Sequence, residues 1–114
     1  MPNKRRLMEH YSTIVARAIY QVMRDHAGMT PAVVDHLHYG AVDIHPKHLA
    51  VWMMFQDGND LHHAQNSGYC HRLRAELKQA LLEQGYPREA LNHIHIGFES
   101  KAEVDKVGAW NYFK

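Results

Sequence analysis

The chain has very little cysteine, which limits how it can be stabilised and what it can bind. Cys70 is the only cysteine among 114 residues, so no disulfide can form within the chain. The common zinc sites that are built from several cysteines are excluded as well. A protein without disulfides suits a reducing compartment, and we therefore expect a cytoplasmic location.

Long apolar runs and an excess of charge of one sign are also missing. No apolar stretch approaches the ~20 residues that a membrane span needs, and the amino-terminal segment lacks the apolar core of a secretory signal. Thirteen Lys and Arg face twelve Asp and Glu, for a net charge of +1 at pH 7. This balance gives no strong attraction to membranes or nucleic acid, and we expect neither as a partner.

The common catalytic motifs are missing too. The sequence contains no Gly-x-Ser-x-Gly, no P-loop, no Gly-x-Gly-x-x-Gly and no His-Glu-x-x-His. Cys70 and His71 are neighbours in sequence, so they point to different sides of a helix and do not predict a nucleophile–base pair. We therefore predict no catalytic residue.

Histidine, in contrast, is abundant: there are 11 in the chain, and four of them form alternating His-x-His pairs. The pairs are His36 with His38 and His93 with His95. Alternation is the period of a β-strand, so each pair is expected to project two imidazoles from one face of a sheet. An imidazole can bind a metal, exchange protons near neutral pH or contact a partner.

Periodicity predicts an α+β fold with the order α-β-β-α-β. The predicted elements are a helix over 5–27, strands over 33–39 and 48–56, a helix over 67–84 and a strand over 91–98. The residues from Asp57 to Asp60 are typical of a loop.

The carboxyl-terminal part predicts smaller elements. Ser100 and Glu103 have capping-box spacing, which predicts a short helix to about residue 107, and residues 110–113 complete the fold, with a fourth strand as an open option. Residues 1–114 then form a single domain. Its single-layer antiparallel sheet carries two main helices on one face. A crossover makes the third strand parallel to the second, and pairing of the third strand with the first would give the order 2-1-3.

The two faces of this predicted sheet differ in composition. The face toward the helices would hold Leu37, Val51, Met53, Ile94 and Ile96. The opposite face would display His36, His38, Trp52, Met54, His93 and His95. The second set contains no Lys or Glu, which is typical of the centre of an interface. It predicts a partner-binding surface, with Trp52 as the hot spot and the histidines as its hydrogen-bonding rim.

Metal binding is the alternative interpretation of the same residues. Two His-x-His pairs on adjacent strands could bring four imidazoles together, with Asp43 or His45 as further ligands. Imidazole suits a divalent transition metal such as Zn, Ni or Cu, although the spacing matches no closed zinc motif. We expect no cofactor, and keep a His-rich metal-binding protein or metal-dependent enzyme as the alternative. A third interpretation is pH-sensitive self-association as a homodimer, because histidines titrate near pH ~6.5.

Two segments carry a resemblance to a known group of proteins. Pro46–Phe55 and the last seventeen residues, Phe98–Lys114, resemble those of small bacterial α+β immunity proteins from contact-dependent and polymorphic toxin systems. The resemblance implies a non-enzymatic inhibitor that occludes a toxin domain. It covers no catalytic motif, and no binding residue can be carried over. The near-neutral charge departs from the acidic inhibitors of nuclease toxins, which argues against a mechanism of charge mimicry.

Overall fold

The chain is an α+β protein, as expected. The structure is a computed structural model that describes residues 4–42 and 44–113, with the side chains of 11–42, 44–108 and 111–113. Its strands are Val33–Tyr39 (β1), Ala50–Phe55 (β2) and His95–Ser100 (β3). Its helices are Lys4–Asp25 (α1), Gly58–Asn66 (α2), Tyr69–Glu83 (α3), Lys101–Val107 (α4) and Ala109–Tyr112 (α5). Single 3₁₀ turns lie at Pro46–His48 and Arg88–Ala90.

The sheet has the order β1-β2-β3, with β1 antiparallel and β3 parallel to β2. The hairpin of β1 and β2 and the parallel direction of β3 are confirmed, but the order 2-1-3 and the antiparallel sheet are wrong. The central position goes to β2 because it is the most apolar strand, with Val51, Met53 and Met54 all buried. The histidines of β1 suit an edge instead.

One face of the sheet packs against the long helices, and we call it the helix face. Ile14, Ala18 and Ile19 of α1 are buried against the apolar side of α3, which contributes Leu73 and Leu77. The sheet contributes residues that are paired across β2 and β3, namely Val51 with Ile96 and Met53 with Phe98. Burial of this apolar surface is the main source of the fold's stability.

Local capping explains where two helices begin. The carboxylate of Asp57 accepts a hydrogen bond from the Asp60 N–H, so the predicted loop at 57–60 is the start of α2. Ser100 Oγ accepts from the Glu103 N–H at 3.3 Å and begins α4, which confirms the predicted cap.

The bounds of α1, β2 and α3 differ from the predicted ones by one or two residues, and two differences are larger. The third strand begins at His95 rather than residue 91, because residues 88–93 form a 3₁₀ turn and further turns. Residues 109–112 are helical, and the described part of the chain contains no fourth strand. None of the helices in residues 4–42 and 44–113 is long and apolar enough to cross a membrane.

Candidate functional site

The sheet face opposite the helices carries an aromatic surface, which we call the Trp52 face. Residues that are paired on neighbouring strands point to the same side of a sheet. The register pairs Leu37 with Trp52 and Tyr39 with Ala50 across β1 and β2, and Ala50 with His95 and Trp52 with Gly97 across β2 and β3. The Trp52 face is therefore formed by Leu37, Tyr39, Ala50, Trp52, His95 and Gly97.

Trp52 lies at the centre of this face, where contacts with four residues hold its ring in place. Its ring centroid lies 4.7 Å from that of His95 and 4.9 Å from that of Phe113. Its indole N–H donates to Tyr39 Oη at 3.1 Å. Gly97 lies beneath the ring, where any larger residue would collide with it. The ring is half-buried, so it is ordered and still presents surface to solvent.

The end of the Trp52 face that no other segment covers carries exposed polar and aromatic side chains next to this ring. Tyr39 is 46% exposed and His95 is also exposed, while Leu37 is half-buried. Tyr39 and Leu37 were not among the predicted site residues. The cross-strand register brings them to Trp52, and sequence alone does not show that register.

The other end of the same face is covered by the carboxyl-terminal part of the chain. Asp35, Met54 and Glu99 are aligned across the three strands there. Lys101 Nζ lies 3.0 Å from Asp35 Oδ2, and the Tyr112 hydroxyl donates to Glu99 at 2.6 Å. Met54 is therefore only 3% exposed, so the predicted exposure of this residue in a binding surface is wrong.

These contacts change the acidity of two groups. Burial alone would raise the pKa of the Asp35 carboxyl, but the hydrogen bonds from Lys101 and from the His36 N–H, together with the Lys101 charge, lower it below its usual value. The hydrogen bond to Glu99, with burial, raises the pKa of Tyr112 to about 12. Tyr112 is therefore neutral at physiological pH and keeps its proton while its hydroxyl donates a hydrogen bond to the Glu99 carboxylate.

His36 and His38 do not lie on the Trp52 face, and this part of the prediction is wrong. The register pairs His36 with Met53 and His38 with Val51, which places both imidazoles on the helix face. They stay exposed there because β1 is the edge strand. The pKa of the exposed His38 is still lowered, by partial desolvation of its ring and by the neighbouring charge of His36.

His93 and His95 do not form a same-face strand pair either. His93 lies in the turn before β3 and is exposed, whereas His95 begins the strand. The four imidazoles therefore do not converge. Asp43, the further ligand in the metal interpretation, lies outside the described residues, and His45 accepts a hydrogen bond from the Lys47 N–H at the 3₁₀ turn. Among the side chains that the structure describes, at residues 11–42, 44–108 and 111–113, no three potential metal ligands group together.

A second polar cluster, unnoticed in the sequence, joins α1 to α3. His26 is only 7% exposed, although it directly follows the last residue of α1. Its Nε2 is hydrogen-bonded to Glu76, and its Nδ1 lies 3.0 Å from the Tyr69 hydroxyl. Burial raises the pKa of Tyr69. The sequence contained one signal for this burial, because His26 comes one helical turn after Val22, which lies on the apolar stripe of α1.

A shallow cavity of about 180 Å³ lies beside this cluster. It is lined by Gln21, Asp25, His26, Glu76, Gln79 and Glu83. Because both ring nitrogens of His26 are engaged by protein groups, the cluster is best explained as a structural contact between the two helices.

Comparisons with known proteins identified no relative of this chain. No family model, no curated protein and no solved structure matches the chain. The resemblance to immunity proteins stays a prediction.

Proposed function

We propose that this chain is a non-enzymatic protein-binding module whose partner contacts the Trp52 face. The observation that carries the proposal is the half-buried Trp52, fixed between His95 and Phe113 and hydrogen-bonded to Tyr39. Tryptophan and tyrosine dominate the binding energy of protein interfaces. A ring that is already ordered loses little conformational entropy when a partner covers it.

The specific form that we propose is an immunity-type inhibitor in the bacterial cytoplasm, which blocks a toxin domain by covering it. The net charge of +1 favours steric occlusion over mimicry of nucleic acid. In this proposal the aromatic centre supplies affinity, and His95 at its edge supplies hydrogen bonds. We leave His36, His38 and His93 out of the proposed contact because their backbone positions are off the Trp52 face, and we leave out Met54 because it is buried.

The proposal requires the adjacent reading frame to encode a secreted protein with a toxin-like domain. The test is co-expression of the chain with that domain, followed by measurement of cell survival and of the dissociation constant. Trp52→Ala and Tyr39→Ser are expected to weaken binding by about tenfold or more each, because they truncate hot-spot residues. Tyr20→Ser is the matched control, since Tyr20 is 69% exposed on α1, away from the sheet face.

Each result decides a different part of the proposal. Unchanged affinity in both Trp52→Ala and Tyr39→Ser, with folding confirmed by circular dichroism, rules out the Trp52 face. Failure of the unsubstituted chain to bind the adjacent toxin-like domain or to protect the cells rules out the immunity function. An equal loss of affinity in Tyr20→Ser would show that the effect does not depend on this face.

A further inference from the structure

The two edge strands of the sheet, β1 and β3, differ in whether their outward backbone groups have hydrogen-bond partners. At the β3 edge, Arg74 Nε donates to the Ile96 carbonyl at 3.2 Å, and the guanidinium lies 5.3 Å from the centroid of the Phe98 ring. A side chain of α3 therefore occupies a backbone acceptor that would otherwise be free to pair with another strand. Proteins commonly protect sheet edges in this way.

The backbone groups of β1 that face away from the sheet can be identified from the hydrogen bonds. The His95 N–H donates to the Leu49 carbonyl at 2.9 Å, so Leu49, and by alternation Val51, direct their backbone groups toward β3. Ala50 and Trp52 consequently bond to β1, through Tyr39 and Leu37. The intervening residues of β1 must then direct their N–H and C=O groups outward.

A second contact supports this assignment and shows which outward groups are free. The His36 N–H donates to the carboxylate of Asp35 at 2.8 Å, as expected of an N–H that points away from β2. The His36 carbonyl and both backbone groups of His38 then have no protein partner in the described part of the chain. The β1 edge is thus open at its carboxyl-terminal half.

Apolar side chains are exposed around the same edge. Val34 and Tyr39 on β1 are 42% and 46% exposed, and Ile44 in the following loop is 76% exposed. An open strand edge that is flanked by apolar side chains is a surface on which another strand can be added.

We propose that β1 pairs antiparallel with β1 of a second copy of this chain, centred on His38. Pairing of a strand with itself is two-fold symmetric, so one contact satisfies the open edges of both copies. The small net charge of +1 gives little repulsion between the copies. This pairing continues the sheet across six strands and leaves the Trp52 faces of both copies on the same side.

The register follows from the groups that are free. Centring on His38 lets the two His38 residues exchange both backbone hydrogen bonds without displacing the Asp35–His36 contact. It also keeps the bulge between Val33 and Asp35 outside the contact. Leu37 of one copy then lies opposite the partner's Tyr39, which covers apolar surface on both.

The experiment measures the oligomeric state of the isolated chain over a hundredfold range of concentration by sedimentation velocity, together with amide hydrogen exchange. We expect a dimer at high concentration, with the His38 amide protected only in the dimer. His38→Lys places two like charges opposite each other and should weaken the dimer by about tenfold. His93→Lys, the same change in an exposed turn, should leave the dimer unchanged.

This proposal does not rest on the proposed function, because it uses backbone groups of β1 and not the Trp52 ring. Trp52→Ala should lose the toxin-like partner and keep the dimer. A monomer at all concentrations, or a dimer that His38→Lys leaves unchanged, overturns the proposal. Protection of the His38 amide only when the toxin-like domain is added would also overturn it, since the edge would then serve that partner.

Discussion

The absence of a side chain at Gly97 leaves room for the Trp52 ring on the surface of the sheet. The Trp52 ring lies directly over this residue. A Cβ at position 97 would lie less than 3.0 Å from two ring carbons of Trp52 and 2.9 Å from His95 Nε2. Glycine in a strand costs conformational entropy and contributes no packing. Here that cost is offset because the absence of a side chain leaves room for the aromatic ring.

Gly97→Ala is therefore expected to lower the free energy of unfolding by about 1–3 kcal/mol, since the ring must move away from its preferred position. The displaced ring should also change the tryptophan fluorescence of the folded state. Both quantities can be measured in one urea titration followed by fluorescence. Gly28→Ala is the matched control, because nothing lies within 4 Å of a Cβ at that position. Equal effects of the two substitutions would contradict the close contact.

The residue scale also shows where prediction from sequence succeeds and where it stops. Alternation correctly showed that His36 and His38 share one face of β1, and that His95 shares a face with Trp52. It did not show which face of β1 joins which face of β2, because Leu37 and Tyr39 are as apolar as a core face requires. That choice depends on the register between two strands, and one residue of slip reverses it.

At the scale of elements, local signals predicted more than long-range ones. The bounds of β1, most of α1 and the Ser100 cap follow from neighbouring residues, and the structure confirms them. The order of the strands could not be predicted in this way, because nothing within β3 indicates that it pairs with β2. The Trp52 face depends on that order and on the return of Phe113, so it could be predicted only in part.

The contact between α1 and α3 depends on His26 in a way that can be tested. His26→Ala removes a buried ring and leaves the Tyr69 hydroxyl and the Glu76 carboxylate without that partner. We expect a loss of about 2–4 kcal/mol in the free energy of unfolding. Tyr69→Phe, which deletes only the hydroxyl, should cost about 1 kcal/mol. Urea denaturation followed by circular dichroism measures both.

The control for this pair is His71→Ala, which removes an exposed imidazole from the same helix as Tyr69. It should change stability by no more than about 0.5 kcal/mol. If His26→Ala is as mild as His71→Ala, then His26 does not join the helices, and its burial has no energetic consequence.

At the scale of the whole molecule, the Asp35–Lys101 contact joins distant parts of the chain. It links residues that lie 66 positions apart, and it connects the edge strand β1 to the start of α4 across the end of the Trp52 face. The carboxyl-terminal segment that covers Met54 and contacts Trp52 is attached beside it. Loss of this contact should therefore lower the stability of the fold and loosen the carboxyl-terminal segment that covers one end of the Trp52 face.

The direction of the pH dependence follows from the lowered pKa of Asp35. A carboxyl whose pKa is lower in the folded than in the unfolded protein stabilises the fold above the unfolded value, here 3.8. This contribution is lost as the pH falls through the folded pKa, because the unfolded chain takes up the proton first. Asp35→Asn should therefore lower stability at pH 7, and its difference from the unsubstituted chain should shrink below pH 3.8.

Urea midpoints measured from pH 7 to below 3.8 test this expectation. Asp105→Asn is the matched control, because Asp105 also lies near Lys101, at 3.5 Å, but within α4 itself. Its effect should be smaller, since a pair on one helix does not hold distant parts of the chain together. Parallel pH profiles for Asp35→Asn and the unsubstituted chain would show that the contact does not stabilise the fold. The Trp52 face would then keep its cover through Tyr112 and Phe113 alone.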